Sequence, residues 1–146
     1  MLCSLDISAS GLTAQRLRMD IIAENIANAQ STRSTSGTGQ AYQRKVTVMQ
    51  TRGESTPFSS YLDGARDRFS QGGVAVTQIA TDTSPYKLDY NPTHPDANED
   101  GYVEMPNVDT AREMVDMMAA QRSYEANIAA LNAFKSMANK ALEIGR

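Results

Sequence analysis

Two stretches, one near each end of the chain, repeat their apolar residues every seven positions, and this repeat leaves few folds open. Leu5, Leu12, Met19 and Ile26 form one series, and Ile22 and Ala29 stand three positions beyond Met19 and Ile26, as the second seam position of a heptad should. Ser8 and Gln15 hold that second position earlier, so the seam is apolar mainly in its later half. Toward the other end, Met114, Gln121, Ile128, Lys135 and Leu142 form a first line, and Met117, Tyr124, Leu131 and Ala138 form the second. Phe134, Met137 and Ala141 add an apolar flank. The pattern predicts helices over about 4–29 and 108–144. At about 1.5 Å per residue the second would run roughly 55 Å, too long for one small sheet to cover.

The two helices share a triplet. AENIANA occupies 23–29 and EANIAAL occupies 125–131. In the heptad frame Ile26 and Ile128 fall on the first line, which places Asn25 and Asn127 together on its shoulder. Asn is a middling-to-poor helix former, so its recurrence there asks for a cause. Either the amides fix the register among several helices, or they are solvated at the edge of a pair. Ile7, Leu17 and Ile21 lie off the seam, so the first helix offers apolar surface to more than one neighbour. Ile26, Ile128, Leu131 and Leu142 are the expected core. The second helix is expected to start after Pro106, with Asn107 as its cap, Asp109 and Glu113 in its first turns, and Gly145 at its stop.

Between the helices the period changes. YQRKVTVMQ, GGVAVTQIA and YKLDY alternate in the manner of short strands, the last bounded by Pro85 and Pro92. The fold class is therefore α+β: long N- and C-terminal helices paired as a coiled-coil-like domain, with a small β-rich insertion between them. Residues 1–33 form the first helical segment. The Ser, Thr and Gly tract within 34–41 is a flexible linker, 42–105 the insertion and 106–146 the second helical segment. Within the insertion, 52–71 reads as a polar excursion.

Composition narrows the function. The chain has 146 residues, only 6% aromatic, with no Trp and with eight Met. Such a composition suits helix packing better than a thick β core. A net charge of −3 does not suit a polyanionic partner, so nucleic acid is not expected. Cys3 is the single cysteine, which leaves no intrachain disulfide. The start, MLCSLDISASGLTAQRL, lacks the basic and apolar regions of a cleaved secretory signal, and no stretch is long and apolar enough to insert in a membrane. His94 is the single histidine, so neither a metal site nor a nucleophile–base pair is expected, and no cofactor motif is present. DANEDGYVEMPN, residues 96–107, imitates a calcium loop at Asp96, Asn98, Asp100 and Gly101 but carries Asn107 where a bidentate Glu belongs.

LTAQRLRMDIIAENIANAQST resembles the N-terminal signature of bacterial flagellar axial proteins, those of rod, hook and hook junction. GYVEMPNVDTAREMVDMMAAQRSYEANIAALNAFKSMANKALEIGR resembles the C-terminal counterpart. The short length and SPYKLDYNPTHPDA before GYVEMPNV point within that family to the proximal rod. The resemblance implies a structural subunit without an active site. It implies export through the flagellar type III apparatus with no cleaved signal, and polymerisation into the periplasm-crossing drive shaft. Its implied partners are other copies of itself and neighbouring rod subunits. The assembly seams would be Leu5, Leu12, Met19, Ile22, Asn25 and Ile26 on the first helix. On the second they would be Met114, Met117, Tyr124, Asn127, Ile128, Leu131, Phe134 and Leu142. The alternatives are another rod or hook subunit, and a calcium-responsive binding protein using loop 96–107.

Overall fold

The computed structural model describes residues 2–33, 40–52 and 72–144. The expected α+β class is what it shows: helix α1 (Leu2–Ala27), strands β1 (Lys45–Thr51), β2 (Val74–Thr81), β3 (Lys87–Tyr90) and β4 (Tyr102–Met105), and helix α2 (Thr110–Ile144). The strands form two separate two-stranded sheets, β1–β2 and β3–β4. Residues 34–39 of the expected linker (34–41), 53–71 of the excursion (52–71) and the stop at Gly145 lie outside the described residues.

The chain divides into two compact units. One comprises Met1–Leu17, Val48–Gln78 and Ala120–Arg146; the other comprises Arg18–Thr47 and Ile79–Ala119. Both helices and the β1–β2 pair contribute residues to each.

In the first unit α1 and α2 meet antiparallel. Gly11 lies against Asn127, where an added Cβ would stand 3.1 Å from the amide nitrogen. Leu5 faces Leu131, Phe134 and Ala138 across an apolar groove of about 260 Å³. Ala14 and Ala120 are buried. The sheet is fastened to α1 by Ser10, whose hydroxyl donates to Ile7 O (2.7 Å) and accepts from Val74 N (3.0 Å). That clasp requires Gly73: its φ is +115°, and a Cβ there would meet Ser10 Oγ at 2.5 Å.

In the second unit Ile21, Ile22, Ala41, Tyr42, Val103 and Val108 form the apolar core. α1 ends where Asn28 N and Nδ2 both donate to Glu24 O, at 3.1 and 2.9 Å, which closes the last turn. β3 and β4 pair antiparallel with Tyr90 opposite Tyr102 and Asp89 opposite Val103. The connection turns at Gly101 (φ +79°), where Gly101 N donates to Asn98 O and Asn98 N to Tyr102 O, each at 2.8 Å.

Three expectations need correction. The first strand starts at Lys45 rather than near Tyr42, because the side chains of Tyr42 and Arg44 are drawn into the helix contact described below. The sequence offers 96–107 as a loop, yet Tyr102–Met105 within it forms a strand that buries Val103. Asp109 rather than Asn107 caps α2, its Oδ1 accepting from Ala111 N at 3.1 Å. The Asn107 side chain is spent elsewhere: it accepts from Arg44 N (2.8 Å) and donates to Asp82 O (3.1 Å) and Ser84 O (3.2 Å).

Candidate assembly site

Among the described side chains of α1, Asn25 is the best-enclosed polar residue, only 1% exposed, and all four of its hydrogen-bonding positions are filled. Its Nδ2 donates to Lys45 O (2.8 Å) and to Glu113 Oε2 (3.1 Å). Its Oδ1 accepts from the Tyr42 hydroxyl (2.9 Å) and from Lys45 N (3.0 Å). An amide has two donors and two acceptor sites on its head group, so Asn25 retains none for another chain. It ties α1 to the start of β1 and to the first turns of α2.

Glu113 is enclosed to the same degree and is neutralised by Arg44, whose Nε and Nη2 each reach Oε1 at 2.7 Å. The same guanidinium lies 3.7 Å from Asp82 and 3.8 Å from Asp116, and Arg18 reaches Asp116 at 3.7 Å. Lys45 pairs with Glu24 and lies 5.7 Å above the Tyr42 ring. A carboxylate this deep is tolerated only with its charge paired and its oxygens bonded, and both conditions hold. Burial, helped by the charges of Glu24 and Glu113, pushes the Tyr42 phenol from 10.0 up to about 12. The Ser84 hydroxyl and amide hold the Asp82 carboxyl below its usual range. The cluster is a closed clamp, built to hold three elements together.

The seam on α2 has a different register from the one periodicity favours. The residues turned inward are Glu113, Met117, Ala120, Tyr124, Asn127, Leu131, Phe134 and Ala138, all buried or half-buried. The second line of the expected heptad is retained, but the first moves back by one residue. Met114, Gln121, Ile128, Lys135 and Leu142 are all exposed. As members of the chain's own core, Ile128 (38% exposed) and Leu142 (76%) are therefore corrected. Apolar residues surround the first half of α2, so apolar spacing alone does not select its inner face. Buried Glu113 and small Ala120 select it, the first through the Asn25–Arg44 clamp and the second by lying flush.

On α1, Ile22 and Asn25 are buried, and Leu5, Leu12, Met19 and Ile26 are half-buried. The two asparagines of the repeated triplet do different work. Asn25 is the centre of the clamp, whereas the Asn127 side chain is half-buried beside Gly11 and has no hydrogen-bond partner among the described residues. Sequence reading passed over Tyr42, Arg44 and Lys45. The available signal was Glu113, a charge standing beside apolar residues of the inner helix face.

Loop 96–107 is engaged within the chain. Asp96 accepts from the Thr32 hydroxyl (2.8 Å) and from Arg33 Nε (2.6 Å), and these contacts, Thr32 foremost, hold its carboxyl below the usual range. Among the described residues, no group of three or more His, Cys, Asp or Glu is placed to hold a metal ion.

Comparison with known proteins agrees across nearly the whole length. Residues 5–33 match the family described as flagella basal body rod protein, and residues 99–144 match the flagellar basal body rod FlgEFG protein C-terminal family. The chain is 49% identical over 147 aligned positions to the flagellar basal-body rod protein FlgC of Bacillus subtilis, covering 98% of this chain and 97% of the relative. It is 43% identical to FlgC of Salmonella typhimurium (97% and 95% covered) and 39% identical to FlgC of Aquifex aeolicus (96% and 93%).

Proposed function

The chain belongs to the FlgC family of flagellar basal-body rod proteins, structural components of the basal body, and from that premise we propose that it builds the proximal rod by burying helix seams between subunits. Its partners are other copies of itself and neighbouring rod subunits. It reaches the periplasm through the flagellar type III apparatus, and its part there is structural rather than catalytic. The observation that supports assembly is surplus apolar surface. After α1 and α2 have met within each unit, Met114, Ile128, Met137 and Leu142 are still exposed, and the Leu5–Leu131–Phe134 groove is open. Burying such surface yields about 25 cal/mol per Å², and neighbouring subunits are the means of burying it. Leu5, Leu12, Met19, Leu131 and Phe134 are then shared between the intrachain contact and the next subunit.

Leu131→Asp tests this. It places a charge in a half-buried apolar contact, at a cost of about 3–5 kcal/mol. In a strain lacking the native chain, a tagged wild-type copy should restore swimming and co-purify with basal bodies. The variant should be made at normal level and do neither. Failure of the wild-type copy to enter basal bodies refutes the rod reading. Full motility with Leu131→Asp refutes the seam.

A further inference from the structure

The face of α2 turned away from the clamp is apolar where a surface helix is ordinarily polar. Ala111, Met114, Val115 and Met118 recur at three- and four-residue spacing, opposite Glu113, Met117 and Ala120, and all four are exposed, Val115 by 61%. A second bare face stands on the β3–β4 hairpin of the same unit. Val103 points into the core, so alternation turns Leu88, Tyr90, Tyr102 and Glu104 outward. Leu88 and Tyr90 are each 64% exposed, and the Tyr90 and Tyr102 rings meet edge to face with centroids 5.2 Å apart.

The two faces complement each other. Methionine thioethers pack well on aromatic rings and adapt to their contour. The stripe is flanked by exposed Arg112, three residues before Val115. The hairpin face carries exposed Glu104, with Glu99 and Asp100 exposed in the turn leading into β4. Two different patches on one unit make a heterologous contact, which does not close on itself after two copies and therefore suits a polymer. We propose that the Met114–Val115–Met118 stripe of one copy docks on the Leu88–Tyr90–Tyr102 face of a second copy of this chain, head to tail. This rests on the rod reading and names one of its subunit contacts.

Full-length chains carrying Cys3→Ser, which removes the single native thiol, provide the test. A tagged Val115→Cys chain and an untagged Leu88→Cys chain are mixed at about millimolar concentration under mild oxidant, after circular dichroism has shown unchanged helix content. Disulfide formation requires Cβ atoms about 4 Å apart, so yield reports docking. The mixed disulfide should exceed either homodimer about tenfold. Adding Arg112→Glu to the first chain should lower it severalfold, and Glu104→Arg on the second should restore it. Equal yields of mixed and homodimeric products, or no mixed product, overturn the contact. If the chain enters basal bodies but the crosslink fails, the rod reading stands and this interface falls. If the crosslink forms but the chain does not enter basal bodies, the rod reading falls instead.

Discussion

Replacing Asn25 by Ala should be among the most damaging single changes in α1, although Ala is the better helix former. The substitution removes four hydrogen bonds at once. Two of their partners, the Tyr42 hydroxyl and Glu113 Oε2, are left in a buried setting, where each orphaned group costs about 1–3 kcal/mol. The two backbone groups of Lys45 are partly reached by water and add about 1 kcal/mol together. Helix propensity returns at most about 0.7 kcal/mol. The net expectation is a loss of about 2–6 kcal/mol, a large fraction of the about 5–15 kcal/mol available to a domain. Urea unfolding of the purified chain, followed by circular dichroism, measures it as a fall in midpoint at unchanged slope. Asn127→Ala is the internal control. Its amide is half-buried and unbonded among the described residues, so its change should stay within about 1 kcal/mol. A further variant, Asn25→Asp, keeps the shape and the acceptor but brings a second carboxylate against Glu113, 3.1 Å away in the native contact. Its destabilisation should shrink as pH falls, because protonating the introduced carboxyl restores a donor. An Asn25→Ala loss below about 1 kcal/mol, or equal losses at Asn25 and Asn127, would refute the clamp.

Two further outcomes follow from the same contacts. Gly73→Ala forces a side chain into positive φ and into Ser10 Oγ, so it should cost about 1–3 kcal/mol, checked by the same unfolding curve. Tyr42 ionises near 10.0 when unfolded and near 12 when folded, so the folded state holds its proton more tightly. Its contribution is fully present below pH 10 and is lost as pH rises toward 12, and this alkaline fall should flatten in Tyr42→Phe.

The sequence alone determined the class of the molecule: two long helices, a β-rich middle and a flagellar axial signature at both ends. Period is a local property, written wherever apolar residues recur at seven, as at Leu5, Leu12, Met19 and Ile26, or at two, as at Leu88 and Tyr90. Family signatures are equally local. Tertiary structure decided which line of α2 faces inward, what Asn25 does and where the helix cap lies. Met114, Val115, Met117 and Met118 lie around α2, and their spacing fits more than one inner face. The choice is made by Arg44 and Tyr42, which the chain returns to α1 and α2 from a distant stretch of sequence. Their partners Asn25 and Glu113 must be bonded once buried, and the Asn25–Glu113 bond spans 88 residues. A hydrogen bond between positions that far apart leaves no periodic trace in either segment, so only the folded chain reveals it.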